Sequence, residues 1–357
     1  MKITIVRFMT KYVLGSTILF LSHVAAYAIG PDTQVVYDVD IAGGSPLNDV
    51  TSILDDGSQI GTGTVIGYQV DGTVDVFAVL TAAHVATAAV NQAAFGEGPA
   101  AGGVGNGNGY SLTANLGGYV TFGTQDLAIM QAVVNTAGLT PAQQAELNLV
   151  ENNLVSLAPY TQSGPQYFTQ AGYGTAGTWN PALGANGGYT PVGGQDDARR
   201  FQNNTITGMT ANGPVGYGPY VEPLVNWSYL AAGAAGGGAS FPGDSGGPYL
   251  FGGSSVASPE SSPGQTVNYS DVEEAVHVAG ASLANGNKLV GMGASGVPLI
   301  QSADPTLDSY DWAEYYADSY FNGAISEVPE PGTVALICMG AAFLGSRLKK
   351  VSRMALG

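Results

Sequence analysis

The sequence predicts an antiparallel all-β protein, and three features of the chain support this fold class. Glycine is abundant, with 53 residues among 357, and the apolar runs between the glycines are short. These runs alternate apolar and polar residues and are rich in β-branched side chains, as half-buried strands are. Asp71-Gly72 and Asn285-Gly286 separate such runs by the two residues that a tight hairpin turn needs.

The two turn signals define two predicted hairpins, and a capping signal defines one predicted helix. The first hairpin spans residues 62–80, and the second spans residues 275–294. Thr140 suits the N-cap and Pro141 the first position of a helix over 141–150. We therefore expect strands to dominate the fold, with this helix inserted between two β units.

Both ends of the chain carry targeting signals. Residues 1–28 combine basic residues with an apolar run and end on a small-x-small site, which is the pattern of a secretory signal peptide. At the other end, the string VPEPG at 328–332 precedes an apolar stretch over 333–345 and a basic cluster. Because this stretch is shorter than the roughly 20 residues that span a bilayer, it predicts a transient membrane association.

Segment 327–357 resembles the PEP-CTERM sorting tail of Gram-negative bacteria. The resemblance rests on the VPEPG string, the apolar stretch and the basic residues after it. It implies that an exosortase removes the tail near Pro329–Pro331. With the signal peptide, it predicts an exported protein at the cell surface or outside the cell, whose folded domain is residues 29–326.

Charge and cysteine content exclude several classes of function for residues 29–326. This segment contains three Lys or Arg residues and 25 acidic ones, a formal net charge of −22. Proteins bind nucleic acids and anionic lipids by neutralising phosphates with basic side chains, so this surface would repel both. The only cysteine is Cys338, in the tail. The domain can therefore form neither a disulfide nor a thiolate metal site.

Three short strings carry the candidate chemistry. His84 ends the string TAAH after a predicted strand, Asp126 opens the string DLAI, and Ser245 lies in the string GDSGGP. A serine hydroxyl is a weak nucleophile until an imidazole takes its proton and a carboxylate orients that imidazole. The residue types therefore predict a Ser–His–Asp triad. We interpret His277, the other histidine of the domain, as structural.

Together these strings resemble the chymotrypsin-like (trypsin-family) serine peptidases. The resemblance implies two six-stranded antiparallel barrels, over about 41–158 and about 159–326, with the active site in the cleft between them. It implies that His84 and Asp126 come from the first barrel and Ser245 from the second. The expected activity is hydrolysis of peptide bonds in proteins or peptides through an acyl-enzyme, with no metal or organic cofactor.

Residues beside the nucleophile have predicted supporting roles. The backbone N–H groups of Gly243 and Ser245 are expected to form the oxyanion hole, in a loop that a side chain at 243 would obstruct. Asp244 is expected to be buried, so its charge needs a partner. A new N terminus at Ile41, made by zymogen cleavage, is one possibility. The other is an internal arginine, for which the candidates are Arg199 and Arg200.

Substrate preference is predicted from the resemblance alone. The family sets it with a residue six positions before the nucleophile and with a nearby strand. The substrate-binding residues are then Ala239, Ala294, Ser295 and Gly296. None of them is acidic, so a non-basic side chain before the cleaved bond is expected. The alternatives are a catalytically inactive surface or matrix binding protein on a peptidase scaffold, and an esterase with the same triad.

Overall fold

A computed structural model describes the parts of the chain that build the folded domain. These parts are residues 30–31, 49–87, 89–96, 110–161, 166–174, 177–180, 188–191, 199–214, 221–228, 238–239, 243–251, 272–279, 283–284, 288–290 and 293–318. The predicted signal peptide and sorting tail lie outside them. None of the helices within these ranges is long and apolar enough to cross a membrane.

Strands form most of the regular structure in these ranges, as the alternating sequence predicts. In the first half of the chain the elements are β1 (Gly30–Pro31), β2 (Val50–Asp55), β3 (Ser58–Asp71), β4 (Val74–Thr81), β5 (Gln92–Phe95), β6 (Leu112–Thr121), β7 (Ala128–Asn135) and α1 (Pro141–Asn152). In the second half they are β8 (Ser156–Leu157), β9 (Gln166–Gly172), β10 (Gly177–Asn180), β11 (Gly188–Pro191), β12 (Arg200–Pro214), β13 (Val221–Ser228), β14 (Gly238–Ala239), β15 (Pro248–Phe251), β16 (Val272–Ala279), β17 (Leu283–Ala284), β18 (Lys288–Val290), β19 (Gly293–Pro298) and α2 (Ser309–Asp318).

The first half of the described chain forms a closed antiparallel barrel of six strands. They follow one another in the order β2, β3, β4, β7, β6 and β5, and β5 pairs with β2 to close the barrel. The first predicted hairpin is β3 and β4. Its register pairs Asp71 with Val74, so the turn residues are Gly72 and Thr73, one position later than predicted. Because β4 ends at Thr81, this hairpin delivers the chain directly to the TAAH string.

The second half forms a seven-stranded sheet, six of whose described strands pair in a ring. In the order β15, β9, β12, β13, β19 and β16, neighbours are antiparallel, and β15 also pairs with β16. The remaining strand, β8, adds to β16 in parallel. The predicted chymotrypsin-like fold class is therefore confirmed, with one more strand on the second barrel than predicted.

Two smaller sheets accompany the barrels. The second predicted hairpin appears in one of them, where β17 pairs antiparallel with β18 and Leu283 lies opposite Leu289. Its turn, Asn285-Gly286, lies outside the described residues. β10 and β11 complete this sheet, and β1 pairs with β14 in the other.

Both described helices lie outside the barrels, and one of them was predicted. α1 begins with a capping box in which Thr140 Oγ1 accepts the N–H of Gln143. α2 was not predicted from the sequence. It begins where the Asp308 carboxylate accepts the N–H of Asp311, and it packs the Trp312 ring 5.3 Å from the Phe122 ring of the first barrel.

The apolar core runs across the boundary between the two barrels. One cluster of buried side chains includes Phe77 and Ile129 of the first barrel together with Val276, Val278 and Val297 of β16 and β19. A separate aromatic cluster fills the second barrel, with members Phe168, Trp227, Tyr249 and Phe251. Shared apolar packing fixes the two barrels against each other, so a site built from both can be rigid.

Candidate active site

His84 and Asp126 lie together at one end of the first barrel. Nδ1 of His84 is 2.6 Å from Oδ2 of Asp126, and the backbone N–H of His84 donates to Oδ1 at 2.8 Å. Asp126 is fully buried, whereas 12% of the His84 side chain is exposed. A carboxylate accepts hydrogen bonds, so this contact favours the tautomer in which Nδ1 carries the hydrogen and Nε2 keeps its lone pair. This is the state that a general base requires.

Ser245 lies in a tight loop directly before β15. The loop closes through a hydrogen bond from Gly247 N–H to the Asp244 carbonyl (2.8 Å), and Gly246 N–H donates to the His277 carbonyl of β16 (2.8 Å). Gly243 has a φ of +107°, which only glycine adopts readily. Ser245 is 1% exposed, and its Oγ makes no hydrogen bond within the described residues.

The Ser245 loop packs against the first barrel beside the turn that carries His84. Thr62 of β3 donates its backbone N–H to the Ser245 carbonyl (2.8 Å) and its hydroxyl to the Gly243 carbonyl (2.8 Å). A Cβ at Gly246 would overlap the Thr62 carbonyl and the Thr81 hydroxyl and lie 3.1 Å from the backbone nitrogen of Ala82. The structure thus brings the Ser245 loop against the start of the TAAH turn.

Asp244 is fully buried beside the start of β12. Its Oδ1 accepts the backbone N–H of Gly174 at 3.1 Å. A Cβ at Gly172 would overlap this carboxylate, and Gly172 pairs with Arg200. Arg199, one residue earlier, is 6% exposed. Both candidate arginines therefore lie next to the strand position that contacts Asp244, and their pairing with it stays a prediction, while Ile41 lies outside the described residues.

The predicted substrate-binding residues lie on two separate strands. Ala239 pairs with Gly30 in the small β1–β14 sheet. Ala294, Ser295 and Gly296 belong to β19, where Gly296 lies opposite His277 and Ser295 Oγ donates to Oδ1 of Asn226 at 2.6 Å. The strand that pairs directly with the Ser245 loop is β16. The substrate-binding roles of these four residues stay predictions.

His277, which was interpreted as structural from the sequence, lies directly beside the Ser245 loop. Besides the bond from Gly246, its backbone N–H donates to the Gly247 carbonyl (2.8 Å). Its Nδ1 lies 2.8 Å from the Tyr249 hydroxyl, which accepts Nε1–H of Trp227 (2.8 Å). Burial, reinforced by the nearby His84, lowers the pKa of His277 to about 3. This ring is therefore neutral at neutral pH, and no local motif marks it.

Glu222 of β13 is a further buried group that the sequence analysis did not identify. Its Oε2 accepts the backbone N–H of Asp126 at 2.8 Å, and the residue is 1% exposed. Burial raises the pKa of Glu222 to about 8. The hydrogen bond from Asp126 opposes this rise and the charge of Asp126 adds to it. Glu222 is therefore mostly protonated at pH 7.

Similarity to known proteins differs between the tail and the folded part of the chain. Residues 327–350 match the PEP-CTERM protein-sorting motif. The predicted sorting tail is thereby confirmed. The motif implies exosortase-dependent processing and indicates an exported protein that is sorted to the cell envelope of a Gram-negative bacterium.

The folded part is similar to solved structures at low sequence identity. A mutant of human heparin binding protein (CAP37) is 16% identical, with a TM-score of 0.43, over 79% of this chain and 96% of that protein. An atomic-resolution structure of HBP is 15% identical, with a TM-score of 0.43, over 78% of this chain and 96% of its own. No curated protein matches the chain at a significant level.

Proposed function

We propose that this chain is an exported serine endopeptidase with a Ser245–His84–Asp126 triad. The observation that carries the proposal is the double hydrogen bond between His84 and Asp126, beside a Ser245 loop that is anchored to the same barrel through Thr62. With its hydrogen on Nδ1, the imidazole has on Nε2 the lone pair that a general base uses to take a proton. Catalytic hydrogen bonds are often long without substrate and shorten when it binds. The proposal is therefore compatible with a Ser245 Oγ that makes no hydrogen bond within the described residues.

The proposed reaction proceeds in two steps. Ser245 Oγ attacks the peptide carbonyl carbon while His84 Nε2 takes the hydroxyl proton, and the N–H groups of Gly243 and Ser245 stabilise the oxyanion. His84 then gives this proton to the leaving amine, so that the C–N bond breaks and an acyl-enzyme forms. His84 then takes a proton from a water molecule that attacks the ester, the C–O bond to Ser245 breaks, the acid leaves, and His84 returns the proton to Ser245 Oγ. Asp126 orients His84 and stabilises the imidazolium throughout.

Several further properties belong to the same proposal. The substrates would be proteins or peptides with a non-basic side chain before the cleaved bond, because Ala239 and the β19 residues carry no acidic group. Residues 1–28 would direct export, and the tail would hold the chain at the membrane until an exosortase-type enzyme removes it. Cleavage profiles on a peptide library test the preference, and frequent cleavage after Lys or Arg would contradict it.

A fluorophosphonate probe tests the proposed activity on the purified full-length protein. The probe forms a covalent bond only with an activated serine. Wild type should be labelled, whereas Ser245→Ala and His84→Ala should not. A wild type that stays unlabelled would overturn the peptidase proposal and favour the inactive binding protein, and labelling of Ser245→Ala would exclude Ser245 as the nucleophile.

A further inference from the structure

Glu222 is a conspicuous buried polar group beside the triad, and the triad chemistry does not need it. It belongs to β13 of the second barrel, whereas Asp126 precedes β7 of the first. The hydrogen bond from Asp126 N–H to Glu222 Oε2 (2.8 Å) therefore crosses between the barrels. Both residues are almost completely buried, with exposures of 0% for Asp126 and 1% for Glu222.

We propose that Glu222 is a positioning residue, which holds Asp126 in register with His84 by accepting the Asp126 backbone N–H across the barrel interface. This inference rests on the proposed function. The carboxylate of Asp126 must meet two donors of His84 at once, so a small rotation of its backbone would break one of them. Asp126 belongs to the first barrel, and Glu222 holds its backbone N–H from the second barrel.

The chemical state of Glu222 suits this role. A neutral carboxyl can accept the N–H without placing a second negative charge beside Asp126. The charged or titratable groups that face it among the described residues are Asp126 and, beyond Asp126, His84. Its other oxygen, Oε1, has no hydrogen-bond partner in the described part of the chain. A buried carboxyl with one unsatisfied oxygen lowers the stability of the fold. Such a loss of stability is expected at positions where a contact serves function.

Four variants of the full-length protein test the proposal through the rate of fluorophosphonate labelling at pH 7. Glu222→Gln keeps an acceptor and should label within about twofold of wild type. Glu222→Leu removes the acceptor and should label about tenfold more slowly, the effect of leaving one buried donor unsatisfied. Glu222→Asp, one methylene shorter, should also be slow and replaces the Leu variant if that protein does not fold. Leu224→Ala, on the same strand, should lose thermal stability but label at the wild-type rate.

Three outcomes would overturn the proposal: wild-type labelling in both the Leu and Asp variants, slow labelling in the Gln variant, or equal slowing in Leu224→Ala. A second readout separates it from the peptidase activity. The NMR signal of the His84 Nδ1 proton should move in Glu222→Leu or Glu222→Asp and stay in Glu222→Gln. If wild type is unlabelled but the signal behaves in this way, the positioning role stands and the peptidase proposal fails.

Discussion

The two barrels hold their proposed catalytic residues by different means. His84 and Asp126 are joined by two hydrogen bonds formed within the first barrel. The Ser245 loop belongs to the second barrel but is held on two sides, by His277 of its own barrel and by Thr62 of the other. The proposed acid–base pair is thus nearly complete in one half of the molecule, whereas the position of the proposed nucleophile depends on the contact between the halves.

This difference shows how a cysteine-free domain can keep a two-part site in register. The only cysteine of the chain is in the tail, so no disulfide links the barrels. Hydrogen bonds that cross the interface supply the alignment instead, and they add to the shared apolar core. Changes within the His84–Asp126 pair should therefore affect chemistry, and changes at the interface should affect both geometry and stability.

The largest effect on activity is expected for Asp126→Asn. An amide in place of the carboxylate favours the wrong imidazole tautomer, which should lower kcat by about 10⁴-fold. The rate of fluorophosphonate labelling measures this loss, and circular dichroism should show an unchanged fold. Asp56→Asn, on an exposed turn of the same barrel, is the control and should label normally. A loss below tenfold would mean that the first barrel does not hold a working acid–base pair.

Gly246→Ala should cause the largest loss of stability. Gly246 has a φ of +90°, and an added Cβ would overlap Thr62 and Thr81 of the first barrel. We expect the free energy of unfolding to fall by about 3 kcal/mol or more. Gly72→Ala is the matched control, because Gly72 has a φ of +65° but open space around it; it should cost only about 1 kcal/mol. Equal losses in urea unfolding would show that the Ser245 loop is not tightly packed on the first barrel.

Thr62→Val tests the support of the nucleophile more gently. It removes the hydroxyl that donates to the Gly243 carbonyl (2.8 Å) and accepts the N–H of Tyr173 (3.1 Å). Labelling should slow by about tenfold, and stability should fall by about 1–3 kcal/mol. Thr51→Val removes a hydroxyl that bonds to the Ala94 carbonyl inside the first barrel. Thr51→Val should lower stability by a similar amount without slowing labelling. If both variants label slowly, the contact between Thr62 and the Ser245 loop has no special role in positioning Ser245.

The smallest expected effect, counted per pH unit, is a pH dependence of stability that arises from Glu222. The pKa of Glu222 is about 8 in the folded protein, whereas its ordinary value is 4.5. Between these two pH values, the Glu222 carboxyl is ionised in the unfolded chain but protonated in the folded protein. The stability present below pH 4.5 is therefore lost as the pH rises towards 8, by about 1 kcal/mol per pH unit. Glu222→Gln titrates in neither state. Urea unfolding from pH 5 to 8 should give diverging stabilities for the two proteins, and parallel curves would contradict the burial of this carboxyl.

Features whose cause lies within a few residues could be predicted from the sequence. The first hairpin follows from Asp71-Gly72, although its register places the turn one residue later. α1 follows from Thr140 and Pro141, which were predicted as its N-cap and first helical residue. His84 and Asp126 were predicted as partners from short strings, and the structure places them within hydrogen-bond distance.

Features that depend on distant contacts could not be predicted in this way. Glu222 is separated by 96 residues from the N–H that it accepts, and a lone acid in a strand usually faces solvent. His277 carries no local signal because its surroundings come from Trp227 and Tyr249 on other strands. The cap of α2 was present at Asp308, but its apolar face is recognisable only against Phe122.

The docking of α2 onto the first barrel also limits how far the domain can move from its tail. α2 ends at Asp318, and the sorting motif begins at residue 327, so eight residues lie between them. A fully extended connection of this length reaches about 30 Å. While the tail is held at a membrane, this connection would keep the domain close to the membrane surface. The connection joins the domain at α2, which packs on the first barrel through Trp312. If the domain is the proposed peptidase, it would then cut only protein chains within reach of the membrane surface, until release of the tail frees the domain.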